Sequence, residues 1–310
     1  MSSNPMTRRI VTALCIATWA SVAVPAQVDT AGTPAPTEEL VALLVAPGIY
    51  VVTGAGGNVA VWTGPDGIVL VDGGLEAQAE RTLEAVARIA PGAVRFVVNT
   101  HWHPDHTGVN ERASRAGAVI IAHEATREVM STTQESEEYS VRIPASPRAA
   151  LPTLTLPGDA ALHLNGDLLR IAHVAAAHSG GDLVLWWRDA NVVHLGDVYY
   201  NGGYPFVDLA HGGSIAGVVA TIEGVLSRAD DATVVIPGHG PVARRADLVA
   251  YRDMLVASGR RVRELVEQGR SLDEVLAARP TEAHDDRYGK GPVSAERFVR
   301  ILYADLAARR

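Results

Sequence analysis

Apolar positions between residues 49 and 72 fall into three short runs, at 49–52, 58–62 and 68–71, rich in Val, Ile and Trp. Gly54-Ala55-Gly56-Gly57 and Gly64-Pro65-Asp66-Gly67 separate them. Short β-branched runs between glycine-rich turns predict hairpin strands. From 75 to 90 the period changes: Leu83, Val86 and Ile89 recur every third residue, which predicts a helix ended by Pro91-Gly92. A buried strand follows at 94–99. Beyond it the pattern predicts a helix at 109–116, a strand at 118–122 and a helix at 124–130. Residues 131–152 are polar and carry Pro144, Pro147 and Pro152, which predicts a long surface loop.

A second series of strands is predicted at 154–156, 161–164, 168–173, 183–187 and 191–195. A helix at 214–227 follows, then a strand at 233–236. Helices at 246–268, 272–278 and 294–308 close the chain. Each strand series is followed by helices, so the expected architecture is a layered α/β protein with two sheets face to face and helices outside. No linker interrupts it, and residues 27–310 are read as one domain.

Residues 1–26 read differently. Arg8 and Arg9 precede an apolar run from Ile10 to Val24, and Val24-Pro25-Ala26 offers small residues for cleavage. This is the pattern of a secretory signal peptide, with the mature protein expected to be periplasmic or secreted and without stable membrane association after cleavage. Cys15, the one cysteine in the chain, lies in that run. After cleavage no thiolate remains, so any metal must be held by His and carboxylate. The net charge of −8 becomes more negative once Arg8 and Arg9 are removed, and Lys290 is the only lysine. This balance argues against nucleic acid or an anionic membrane as partner, and leaves a small-molecule substrate.

Asn99-Thr100-His101-Trp102-His103-Pro104-Asp105-His106 carries most of the chemical information. His101 and His103 are two apart, so in extended chain they point the same way and can share one ion. Asp105 and His106 come where the chain turns toward a helix, and offer an oxygen and a nitrogen to a second ion. Zinc accepts such a mixture, as do iron and manganese. Three histidines and an aspartate within six residues after a buried strand are costly to bury without partners.

This segment resembles the HxHxDH motif of the metallo-β-lactamase superfamily, which implies a four-layer αββα sandwich with two zinc ions at one edge. The resemblance extends in order along 48–241. It implies His178, in His178-Ser179-Gly180-Gly181-Asp182, as the third imidazole of the first metal. Asp197 would bridge both metals, and His239, between Gly238 and Gly240, would complete the second. Asp72 would orient ligands from behind. Four aromatics follow Asp197; Tyr199, Tyr200, Tyr204 and Phe206 are candidate pocket walls, with the Tyr200 phenol assisting a developing oxyanion. Of the remaining histidines, His123 is read as starting or capping a helix, and His163, His173 and His194 as strand residues. His284 is read as a surface residue, and His211 as a candidate for the pocket.

The activity implied is hydrolysis, with a hydroxide held between the metals attacking a carbonyl carbon and Asp105 orienting it. The expected substrate is a cyclic amide or ester, β-lactam antibiotics being main or side substrates. A lactonase or esterase is the rival. Many β-lactamases carry Cys at the position of Asp197 and Lys three residues on, where this chain has Tyr200. Glutathione-thioester hydrolases are disfavoured by the export reading and the single lysine. An iron oxidoreductase or a non-catalytic periplasmic accessory protein are readings of another class.

Overall fold

The structure is a computed structural model that describes residues 39–136 and 141–308. The signal-peptide expectation for residues 1–26 lies outside the described residues. The first sheet has seven strands. It begins with β1 (Val41–Ala46), β2 (Ile49–Thr53), β3 (Val59–Trp62) and β4 (Ile68–Val71), an antiparallel meander. The chain then crosses through α1 (Ala79–Ile89) to β5 (Val94–Val98), parallel to β4. Two short helices, α2 (Pro104–Thr107) and α3 (Asn110–Arg115), lead to the parallel strand β6 (Val119–His123). After α4 (Glu124–Met130) the two-stranded ladder of β7 (Gln134–Ser136) and β8 (Val141–Ile143) stands apart, and β9 (Leu154–Leu156) joins β6.

The second sheet has six strands: β10 (Ala160–Leu164), β11 (Asp167–Val174), β12 (Asp182–Trp187), β13 (Val192–His194), β14 (Val234–Ile236) and β15 (Ala243–Arg244). Helix α5 (Ile215–Leu226) connects β13 to its parallel neighbour β14. Helices α6 (Arg245–Glu267), α7 (Leu272–Ala277), α8 (Glu282–Tyr288) and α9 (Ala295–Ala307) follow.

Side-chain alternation along the strands builds three apolar layers from these elements. Ile49, Val51, Ala60, Val69 and Val71 face Leu169, Ile171, Leu185 and Trp187 across the gap between the sheets. Trp62 and Trp187 meet there edge to face, 6.2 Å apart. Their intervening neighbours Val52, Val61 and Leu70 point outward and pack with Ala85 and Val86 of α1 and Ala113 of α3. On the far face, Val193 and Val235 pack with Ile222 of α5, Tyr251 and Leu255 of α6, and Phe298 of α9. The order is helix, sheet, sheet, helix: the αββα sandwich expected from the sequence.

Several boundaries differ from expectation. The helix expected at 109–116 is α3, one residue shorter at each end, but an unexpected turn of helix, α2, precedes it, with Pro104 as its first residue directly after His103. The helix expected at 75–90 opens with a 3-10 turn, and α1 begins at Ala79. Strand β1 was not expected: six consecutive apolar residues show neither helical nor strand period, and this edge strand is largely exposed. The 131–152 loop holds the β7–β8 ladder, and α8 is too polar for its period to show, burying only Tyr288.

Candidate metal centre

The parallel strands β4, β5, β13 and β14 end at one edge of the sandwich. Asp72, the 99–106 segment, Asp197 and His239 all follow those ends directly. Cross-sheet hydrogen bonds close this edge. Asn58 N and Nδ2 donate to Gly238 O and Pro237 O, both tying the first sheet to the end of β14. Leu183 N donates to Thr100 O at 2.8 Å, tying β12 to the histidine segment.

Two groups of side chains can hold an ion. His101, His103, His178 and Asp197 form one; Asp105, His106 and His239 form the other, with the donor atoms in each group within 4.8 Å of one another. Asp197 links them. Its Oδ2 lies 3.7 Å from His101 Nε2, 3.8 Å from His178 Nε2 and 3.5 Å from His239 Nε2, and its Oδ1 lies 3.1 Å from His106 Nε2. His239 Nε2 is 3.1 Å from Asp105 Oδ2. The first group is buried apart from His103, 13% exposed; the second opens outward, with Asp105 31% and His239 26% exposed.

The ring orientations follow from what holds their far sides. Thr100 Oγ1 donates to Asp72 Oδ2 at 2.8 Å, so it must accept from His101 Nδ1 at 3.0 Å, which leaves the lone pair on Nε2. That Nε2 is buried and has no hydrogen-bond partner. His106 Nδ1 donates to Asp72 Oδ2 at 2.8 Å, and His178 Nδ1 donates to Phe206 O at 2.9 Å. His103 is reversed: Nε2 faces Asp208 Oδ2 at 3.3 Å, and Nδ1 lies 2.9 Å from His178 Nε2. In each case one nitrogen is tied to an oxygen and the other turns inward, the arrangement metal-binding histidines use. A buried, partnerless imidazole nitrogen among converging lone pairs fits a cation and little else.

The backbone makes room for this. Asp72 has φ +64°, a left-handed conformation strained for a residue with a side chain. Its carboxylate also accepts Thr100 N at 2.7 Å, so the strain aims it at both Thr100 and His106. At Gly57 a Cβ would lie 2.3 Å from the His106 ring, and at Gly238 it would lie on Asp197 Oδ1.

Electrostatics divide the two groups. Burial depresses His178 to about 4, and burial and then the neighbouring His106 hold His101 well below its ordinary value. Both rings are neutral donors. For His239 and His106 burial acts the same way, but Asp197 and Asp105 outweigh it, raising His239 to about 9 and His106 well above its ordinary value. Burial also works against the charge on Asp105 and Asp197, yet the histidines hold both carboxyls low. Asp182 behaves oppositely. Burial pushes it up to about 7, and it accepts from Ser179 N at 2.8 Å and Oγ at 2.5 Å, bracing the turn that carries His178.

All seven candidate ligands and Asp72 are thus brought together. The four aromatics separate. Tyr199 and Tyr204 are core residues, 1% and 0% exposed, and so do not form a pocket wall. Phe206 lies against His103 and His178 at 5.7 and 5.9 Å. The Tyr200 hydroxyl donates to Asp197 Oδ2 at 2.5 Å, and its ring stacks on His239. It faces a carboxylate rather than open space. His123 caps α4 through Nδ1 and stacks on His173 at 3.7 Å, and His194 is buried in β13. Asp208 and Asn58 had no motif to mark them. Asp208 joins the site only because the 206–213 loop folds back on the His178 turn.

Residues 52–239 match the family model of the metallo-β-lactamase superfamily. A hydroxyacylglutathione hydrolase of Polaromonas sp. is 30% identical over 161 residues, covering 52% of this chain and 53% of that protein. An acyl-coenzyme A thioesterase of Bos taurus is 28% identical over 161 residues, covering 46% and 55%. The chain thus spans about half the length of the curated relatives it matches. Among solved structures, a metallo-β-lactamase from Pontibacter korlensis superposes with TM-score 0.58 at 19% identity, over 70% of this chain and 99% of that one. With the helix–sheet–sheet–helix order, the match across more than half of its length places this chain in the metallo-β-lactamase superfamily.

Proposed function

We propose that this chain is an exported, metal-dependent hydrolase of an ester-type acyl bond, lactones and thioesters included, using two zinc ions. The observation that carries this reading is the pair of donor groups sharing Asp197, with buried neutral imidazoles on one side and the open carboxylate Asp105 on the other. Ions held there would acidify a water and polarise an acyl carbonyl.

The residues divide the remaining work. Asp105, at the exposed rim, accepts a hydrogen bond from the attacking water and so orients it. Tyr200 acts as a positioning residue, its hydroxyl holding Asp197 Oδ2. Asp72 fixes the tautomers of His106 and, through Thr100, of His101. Phe206 and Trp102 give the first group an apolar flank.

The substrate preference rests on position 200. Where many β-lactamases place a lysine for the substrate carboxylate, the tyrosine is 7% exposed and bound to Asp197, so it offers no cation. The matched relatives, by name a hydroxyacylglutathione hydrolase and an acyl-coenzyme A thioesterase, favour the same side. They also restore the thioester class that the sequence reading had set aside. Cyclic amides, β-lactams among them, are the second reading, favoured by the fold of the structural neighbour.

The test is a panel of acyl-homoserine lactones, simple esters, acyl thioesters of glutathione and coenzyme A, and nitrocefin, each with and without chelator. Chelator-sensitive turnover of an ester, lactone or thioester exceeding that of nitrocefin is expected. Preference for nitrocefin would move the assignment to the second reading. No turnover by protein carrying two metals would favour an accessory role.

A further inference from the structure

We propose that Asp208 and His211 are positioning residues of the first donor group, and that Gln134 of β7 anchors them. The inference rests on the two-metal reading above. His103 is the most exposed ring of its group, so packing does least to fix it. Its Nδ1 turns inward only if Nε2 is held from behind, and Asp208 Oδ2 does that at 3.3 Å. The same oxygen accepts Trp102 Nε1 at 3.0 Å. The backbone of Asp208 reaches the other ligand, since its N–H donates to His178 O at 2.8 Å. One residue therefore grips both His103 and His178.

Asp208 is itself clamped. His211 Nδ1 lies 2.9 and 2.8 Å from its two carboxylate oxygens. His211 Nε2 lies 2.9 Å from Gln134 Oε1. The orientation of that amide is determined by its surroundings: Gln134 Nε2 faces Val129 O at 2.8 Å, Thr132 O at 3.2 Å and Thr132 Oγ1 at 2.8 Å. The oxygen is thus the atom left for His211, and both ring nitrogens of His211 face side-chain oxygens. The result is a chain from β7 through His211 and Asp208 to His103, outside the Asp72 system that serves His106 and His101.

The test is cobalt(II) titration of metal-free full-length protein, read by d–d absorbance, with chelator competition for affinity. Wild type should bind two ions. A His239→Ala background isolates the first site. There, Asp208→Asn should weaken binding about 10–100-fold and shift the absorbance bands. His211→Ala should act in the same direction. His211→Asn, which keeps an N–H where Nδ1 stands, should restore most of the affinity. The second site should keep its affinity in the single variants. Fewer than two ions in wild type would sink the two-metal reading itself. Two ions in wild type with unchanged first-site affinity in Asp208→Asn and His211→Ala would overturn the positioning proposal alone. Failure of His211→Asn to restore what His211→Ala loses would also overturn it. If Asp208→Asn does not fold, the two His211 variants decide.

Discussion

His101 has the most telling nitrogen in the molecule: buried, oriented by Thr100, and without a partner. His101→Ala should remove the first metal and with it turnover, while the apo fold survives. Metal analysis and circular dichroism together check this, and full activity in a metal-loaded variant would sink the assignment. The second group makes a different prediction, because its histidines hold protons that an ion must displace. Burial opposes charge on His239, but Asp197 and Asp105 raise it to about 9. Its folded value thus exceeds the unfolded one, near 6.5. Its ion-pair contribution to apo stability is complete below about 6.5 and is lost as pH rises through about 9. Zinc uptake at pH 7.5 should therefore release protons, and second-site affinity should climb until about pH 9. Calorimetry in buffers of different ionisation enthalpy measures the release, and zero release would contradict the assignment. At this scale the sequence was informative where chemistry is dense: the HxHxDH residues were legible from their own spacing, and His178, Asp197 and His239 stand with them as the family resemblance implied. It was silent on Asp208, whose partners His103 and Trp102 lie more than a hundred residues away.

The elements show why the site is rigid. Strand ends deliver the ligands, and short polar links across the two sheets hold those ends in register. Asn58 is 4% exposed, and its amide donates to both Pro237 O and Gly240 O at 2.9 Å, on either side of His239. Asn58→Ala should leave both carbonyls short of a donor and cost about 1–3 kcal/mol. It should also weaken the second metal more than the first; equal loss at both would argue against a local role. Gly57→Ala puts a methyl into the His106 ring and should cost the second ion selectively, as read by metal stoichiometry. Element identity was largely legible in the sequence, because β-branched runs and three-residue periods are local signals. The single turn of α2 was not, since its four residues Pro104–Thr107 are too few to carry a period. Nor was β1, whose pairing with β2 depends on the Pro47-Gly48 turn and not on any period of its own.

For the whole molecule, metal binding should be visible as stability. An ion at 100 times its dissociation constant adds about 2.7 kcal/mol, so zinc should raise the melting temperature and chelator should lower it. No helix among the described residues is long and apolar enough to cross a membrane. The export proposal rests on the sequence pattern of residues 1–26, and fractionation of cells expressing the full chain tests it. Recovery of unprocessed protein in the cytosol would overturn it. The four layers were predictable because each strand series carried its own helices. The meeting of the two sheets at one edge is a property of the fold, invisible to any local pattern.

That meeting has a mechanical consequence. His101 and His103 hang from the first sheet, and His178 and Asp197 from the second. An ion gripped by all four is a rivet through the sandwich, opposing shear of one sheet over the other. Amide exchange should then slow together in β5 and β12 on metal loading, although the two strands belong to different sheets.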